Sequence, residues 1–360
     1  MYGDFDATQV VLSFGISFLG AYIAICGCEQ LRGIYLKDSS PSAGQVVPWF
    51  LLIGSALGGV GIWSMHFIGM SAMSLQDSNG NDVNIEFNIG VSVFSMIAAV
   101  IAVCGGVAIA SHDRVFAKSK AEIVEIFSAD LKHLTLTELR NISSFQLLTL
   151  ACTKELHYLI VGGVVAAGGI GIMHYVGMAA MEFHGRIVWN IGIIAASVVM
   201  AALASIAAFW ILFRLLSIYP DIESLRLAAA LVMGIAVCGT HYVGMLAANF
   251  KVDETKKEFT KLAWRTSTMK NTDSLYPVVV AALITLWVFT MIIFHDLRWK
   301  VTRYRQYVSK ISGSKQKTTE ILSMVESVHT TAKNSRISNS SVAPLPSGSR
   351  PASENNSLAV

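Results

Sequence analysis

Seven stretches of this chain are almost wholly apolar over roughly twenty residues or more, the length at which a helix, rising 1.5 Å per residue, crosses the hydrocarbon of a bilayer. Short polar gaps separate them. The spans fall at roughly 9–30, 47–73, 89–111, 155–181, 188–213, 226–248 and 275–296. Composition points the same way: 53% of the 360 residues are hydrophobic and 14% are charged, against about 25% charged in soluble domains. The mean hydropathy is +0.55. The expected fold class is an all-α integral membrane protein, a seven-transmembrane helix bundle with the lipid bilayer as its solvent.

The formal net charge is +3, and the basic residues form no aromatic-laced stripe, so nucleic acid is not an expected partner. Cys26, Cys28, Cys104 and Cys238 lie inside apolar runs and Cys152 at the start of another, which argues against a disulfide framework. Residues 1–8 hold Asp4 and Asp6 but no Lys or Arg. The basic region of a cleavable signal is missing, and the first span is expected to remain as a helix behind a short outer segment.

Lys and Arg concentrate on one side of the predicted spans, which sets the orientation. With the N-terminus outside, the inner segments hold Arg32 and Lys37, then six basic residues between 112 and 154, then Arg214 and Arg226, then Arg298, Lys300, Arg303 and Arg305. The outer segments hold Arg186 and a 249–274 loop that runs against the rule, with Lys251, Lys256, Lys257, Lys261, Arg265 and Lys270 beside four acids. The C-terminus is then cytosolic. In the inner loop, about 112–154, Ile123, Ile126, Phe127, Leu131 and Leu134 recur at near-helical spacing, either as an interfacial helix or as a solvated loop with some helix. Residues 297–360 turn basic and then Ser-rich, with little to bury, and read as a disordered cytosolic tail beyond a membrane domain at 9–296.

One five-residue pattern recurs inside the spans: His66-Phe67-Ile68-Gly69-Met70, His174-Tyr175-Val176-Gly177-Met178 and His241-Tyr242-Val243-Gly244-Met245. Three occurrences mark an internal duplication. Each copy lies near the C-terminal end of spans two, four and six, which run in the same direction, so the motifs share one depth near the outer face. The repeat unit is expected to be a helix pair, two-three, four-five and six-seven, with the first span as an addition. Gly58, Gly59 and Gly61, and Gly162, Gly163, Gly168, Gly169 and Gly171, extend a small-residue face upstream and are expected to pack the motif helices tightly against one another.

His and Met four residues apart share one helix face. Imidazole nitrogen beside thioether sulfur suits copper, since thioether selects Cu(I) and imidazole binds either copper state. The candidate ligands are His66, His174 and His241 with Met70, Met178 and Met245. The alternative is a polar packing cluster in which the Tyr175 and Tyr242 hydroxyls donate to the imidazoles.

Met173-His174-Tyr175 and the thrice-repeated His-x-x-Gly-Met core resemble the MHYT-domain family of bacterial and fungal membrane sensors, named for a Met-His-Tyr-Thr signature. The resemblance covers residues 9–250 and extends to 296 by topology. It implies a seven-span sensor domain, with motifs near the outer face proposed to hold copper and through it to sense oxygen, carbon monoxide or nitric oxide. Carried onto this chain, it makes His66, His174 and His241 ligands, with Met65 and Met173 joining Met70, Met178 and Met245 as thioether candidates. The chain departs from the signature at Ile68, Val176 and Val243 in place of Thr, at Phe67 in place of Tyr, and at Thr240 in place of Met, so the third copy is a poorer soft-ligand site. The Ser-rich tail resembles that of the fungal stand-alone members, and the resemblance makes the plasma membrane the expected location.

The expected function is signalling: a gas or metal change at the motif layer alters helix packing, and the inner loop and tail relay it to a cytosolic partner. Three rivals remain. A copper transporter or permease would need ligands at successive depths, and the other halves of the motif spans offer little besides Cys238 and His157. An enzyme would need paired intramembrane carboxylates or a nucleophile-base spacing, neither of which stands in the spans. Haem held by two of the histidines is the third. No catalytic role is expected.

Overall fold

The computed structural model describes residues 4–76, 83–118, 154–183, 185–219, 222–252, 268–270 and 278–295, with single residues and pairs between 122 and 152, at 276 and between 297 and 324. The expected interfacial helix and Ser-rich tail lie almost wholly outside the described residues. The chain divides into two units, Met1–Phe294 and His295–Val360. The elements below belong to the first, apart from the last residue of the seventh helix.

Among the described residues, seven helices are long and apolar enough to span a bilayer: α1 (Ala7–Tyr35), α2 (Ala43–Ser71), α3 (Ile89–Ala110), α4 (His157–Ala179), α5 (Ile191–Ile218), α6 (Glu223–Met245) and α7 (Val278–His295). The protein is an all-α seven-span bundle, as its apolar runs require. Helix α2 begins earlier than hydropathy suggests because Ser42 and Gln45 form a capping box, with the Ser42 amide donating to Gln45 Oε1 at 2.9 Å. Two helices contain π-helical turns, Ser55–Ser64 in α2 and Ile211–Leu215 in α5.

Helices α1, α3 and α5 start alike. Asp6, Asn88 and Asn190 each hold an extended backbone and cap the helix that follows, accepting from the amides of Thr8, Val91 and Gly192. Each cap residue also ties its helix to the next one. The amides of Asp6, Asn88 and Asn190 donate to the carbonyls of Ala72, Ala180 and Ala247, at 2.9, 2.8 and 2.8 Å. Short antiparallel strands extend these bonds: β1 (Asp4–Phe5) with β2 (Met73–Ser74), β3 (Glu86–Asn88) with β4 (Met181–Glu182), and β5 (Gly185–Trp189) with β6 (Ala248–Val252). Strand β7 (Thr268–Lys270) adds to the other edge of β3.

Backbone pairing therefore joins α1 to α2, α3 to α4 and α5 to α6, one helix out of step with the expected pairs, and leaves α7 rather than α1 outside the scheme. The motif marks one helix of each pair, and in a closed ring both neighbours are adjacent, so the strands can join one neighbour while the sequence repeat runs on to the other. The ring does close: α1 packs on α2, and so on in order to α6, which packs back on α1.

Glycine lets these backbones approach. A Cβ on Gly20 of α1 would stand 2.6 Å from the Cα of Gly61 in α2, and one on Gly106 of α3 would stand 2.7 Å from the Gly162 carbonyl oxygen in α4. Gly58 faces the Ala99 backbone of α3 and Gly163 faces Ile206 of α5. The upstream glycines thus join motif helices to their odd-numbered neighbours. This corrects the expectation that they join motif helices to each other.

At the end of the bundle away from the motifs, Arg214 in the π-turn of α5 is fully buried with Asp113. Its guanidinium donates to Asp113 Oδ1 at 2.6 Å and Oδ2 at 3.1 Å, and to the carbonyls of Lys154 and Glu155 at 2.5 and 2.8 Å. Residues on both flanks of the segment between α3 and α4 are held by one side chain.

Candidate metal centre

The last turns of α2, α4 and α6 bring His66, His174 and His241 together in one layer. Their ring centroids lie 5.0 Å apart for His66–His174, 4.9 Å for His66–His241 and 5.4 Å for His174–His241. All three are buried, at 0%, 7% and 4% exposure. One ring nitrogen from each lies within 4.8 Å of the others, a grouping suited to a metal ion. Nδ1 of His66 is 3.1 Å from Nδ1 of His241. The three Nε2 atoms are buried without a hydrogen-bond partner among the described residues.

The spacing within the motif explains how three helices come this close. The glycine three residues after each histidine receives the histidine of another copy. A Cβ on Gly69 would stand 2.6 Å from His241 Nε2, one on Gly177 would stand 2.5 Å from His66 Nε2, and one on Gly244 would overlap His174 Nε2. The relation runs first copy to second, second to third and third to first. Each repeat supplies one ring and one slot, and the slot exists because glycine has no side chain.

The motif aromatics complete the cycle. Phe67 packs edge-on against Phe87 at 5.4 Å, Tyr175 against Trp189 at 5.6 Å and Tyr242 against Phe5 at 5.8 Å between centroids. Phe5, Phe87 and Trp189 each immediately precede a cap residue, so the starts of α1, α3 and α5 each reach a motif by its aromatic ring. One helical stretch further, Ser13, Ser95 and Ser197 repeat the pattern. Tyr175 Oη pairs with Ser197 Oγ at 2.5 Å and Tyr242 Oη with Ser13 Oγ at 3.3 Å. Where Phe67 has no hydroxyl, Trp63 Nε1 donates to Ser95 Oγ at 3.0 Å instead. The tyrosine hydroxyls go to serines and not to imidazoles, which corrects the polar-cluster alternative in its expected form.

The methionines divide into two layers around the histidines. Met70, Met178 and Met245 belong to one buried apolar cluster with Phe67, Phe87 and Phe183 on the strand side. Met65 and Met173 are buried on the other side, where they and the three histidines line a cavity of about 110 Å³. At the matching position of the third copy stands Thr240, whose hydroxyl is spent on the Ala236 carbonyl at 2.8 Å. His112 is exposed beyond α3, His157 begins α4 and His295 ends α7, none of them in the motif layer. His133 and His184 lie outside the described residues. All five cysteines are free.

Sequence reasoning overlooked the scaffold of Asp6, Asn88 and Asn190 with Ser13, Ser95 and Ser197. Its signal was present: an aromatic residue, then Asp or Asn, then Ser seven residues later, three times over.

A family model described as a bacterial signalling protein N terminal repeat, MHYT, matches residues 59–119 and 168–221. Those stretches run from motif helix to following helix. The chain is 35% identical over 253 residues to the bifunctional diguanylate cyclase/cyclic di-GMP phosphodiesterase MucR of Pseudomonas aeruginosa, covering 69% of this chain and 29% of that one. It is 27% identical over 252 residues to the signalling protein YkoW of Bacillus subtilis, covering 69% and 25%. The chain thus spans less than a third of the length of either relative. No solved structure matches.

Proposed function

Since the chain belongs to the MHYT-domain family of membrane signalling proteins, we propose that it is a sensor whose histidine trio holds copper and responds to a diatomic gas (O2, CO or NO) or to a change in metal or redox state. One observation carries this reading: three buried histidines each bring one ring nitrogen within 4.8 Å of the others, with Nδ1 of His66 and Nδ1 of His241 3.1 Å apart.

The donor set fits the group. His66, His174 and His241 supply imidazole, and Met70, Met178 and Met245, or Met65 and Met173, supply thioether, a soft set that favours copper over zinc or iron. When bound, copper supplies a redox-active centre able to take a small ligand. The chain's own part is positional. The glycine slots hold each ring against the next repeat, and the Met and Phe cluster keeps water from the strand side. A shift of one histidine presses on the backbone of a neighbouring motif helix, so a local change bears on the whole ring. Such a device needs two packings within a few kcal/mol of each other.

The positive-inside count supports motifs at the outer face of the membrane and a cytosolic C-terminus, with the inner loop and tail meeting a signalling partner, and family habit supports the plasma membrane. The activities in MucR's name are those of that protein, most of whose length this chain does not span. The reading for this chain is a sensor and not a catalyst.

The test is metal content by inductively coupled plasma mass spectrometry on detergent-purified protein reconstituted with Cu(I), comparing wild type with His66→Ala, His174→Ala and His241→Ala. Stoichiometric copper in the wild type and its loss in each folded variant is the expected result. Folded wild-type protein without copper would overturn it. A Soret band would redirect the reading to haem, and copper uptake dependent on the protein would redirect it to transport.

A further inference from the structure

The cavity beneath the histidine layer extends well beyond the candidate metal ligands. Its walls come from α2 to α6 and are apolar: Val103, Ala166, Ala201, Phe209 and Met233 are typical. Its roof is the histidine trio with Met65 and Met173. Most of the lining is buried, but Val198 and Val232 are 44% and 54% exposed, and both lie on the α5/α6 seam. In a bilayer that seam faces hydrocarbon. The cavity exists on this side because two features remove bulk. Thr240 stands where the other copies place Met65 and Met173, and α5 lines the space with Ala201, Ala204, Ala207 and Ala208.

We propose that this cavity is a binding site for a small, uncharged, apolar solute dissolved in the bilayer, admitted between α5 and α6 and delivered to the histidine layer from the lipid. An apolar cavity of the order of 150 Å³ stays dry and takes up benzene or xenon, and about 110 Å³ is of that class. The other side of the trio is closed by the packed Met and Phe cluster, which leaves the lipid side as the approach. The consequence for sensing rests on the proposed function. The binding does not, and is read without metal.

Xenon is the probe, applied under pressure to metal-free protein in nanodiscs carrying 13C-methyl methionine. Saturable xenon-dependent shifts are expected at Met65, Met173 and Met233, which line the cavity, and not at Met70, Met178 and Met245, which lie across the histidine layer. Thr240→Met restores the bulk of the other two repeats and is expected to abolish the shifts, as is Ala236→Leu from the same wall. Val232→Phe at the seam is expected to slow xenon exchange without removing the site. Absence of shifts in the wild type would overturn the site, and so would shifts that persist in both filling variants. Unchanged exchange in Val232→Phe would overturn the lateral route. Strong relaxation of the Met65 and Met173 methyls by lipids spin-labelled on their acyl chains would overturn the free solute in favour of a resident lipid tail. The xenon result stands or falls whether or not copper binds.

Discussion

Gly177 lies against the ring of His66, with a Cβ on the glycine falling 2.5 Å from Nε2. The contact crosses from the second repeat to the first, and its counterparts at Gly244 and Gly69 close the cycle. Helix α4 supplies its own control, because a Cβ on Gly168 or Gly171 would meet nothing within 4 Å among the described residues. Gly177→Ala is expected to destabilise the protein by about 1–3 kcal/mol, as overpacking does. Gly168→Ala is expected to be neutral or stabilising by up to about 1 kcal/mol, since alanine is the better helix former. Unfolding in detergent would show it, and equal stability of the two variants would mean that the slot is loose.

The buried Arg214–Asp113 pair answers to a different balance. Both side chains are at 0% exposure, and the guanidinium also serves two carbonyls of the segment before α4. Removing one partner leaves a charge without its counter-ion in a dry site, at a cost of about 3–5 kcal/mol. Asp113→Asn and Arg214→Met are each expected to lose stability on that scale. Proteolysis near Lys154 should rise in Arg214→Met, because the carbonyls there lose their donor. Wild-type cleavage rates in that variant would show that other contacts hold the segment.

The seven helices are legible in the sequence because hydrocarbon thickness imposes a length on every span, and helix edges moved where a polar cap such as Ser42 overrode hydropathy. The trio is legible because His66, His174 and His241 recur at one depth. The Arg214–Asp113 pair is not legible: its partners are 101 residues apart, and positive-inside counting accounts for an arginine at a span end without one. The direction of the glycine contacts is hidden for a related reason. A small residue permits close approach but does not say by which neighbour, and only ring closure assigned Gly177 to His66 and Gly163 to Ile206.

Tyr175 and Ser197 join α4 to α5 through one 2.5 Å hydrogen bond just below the caps. Such bonds in membrane helices contribute modestly, about 0.5–2 kcal/mol. Tyr175→Phe reproduces the side chain that the first repeat already uses at Phe67 and keeps the ring on Trp189. Tyr175→Phe and Ser197→Ala are therefore each expected to cost about 1 kcal/mol, with the double variant costing little more than either alone. Additive losses in a double-mutant cycle would show that the two hydroxyls act through other partners.

The two methionine layers give the copper reading its sharpest discrimination. On the strand side all three repeats contribute sulfur, Met70, Met178 and Met245, each four residues after a trio histidine and so on the same helix face. On the cavity side only two do, because Thr240 replaces the third, and Met65 and Met173 directly precede their histidines in the helix, a position turned away from the histidine face. Sulfur ligation is therefore expected from the strand-side layer. Replacing Met70, Met178 and Met245 together by Leu, close in volume and without sulfur, should weaken Cu(I) binding by about tenfold or more. Met65→Leu with Met173→Leu should leave affinity near wild type while altering the cavity. Competition with a chelator of known Cu(I) affinity reads both. The reverse ranking would move the soft ligands to the cavity side and place the centre where a lipid-borne solute meets it directly.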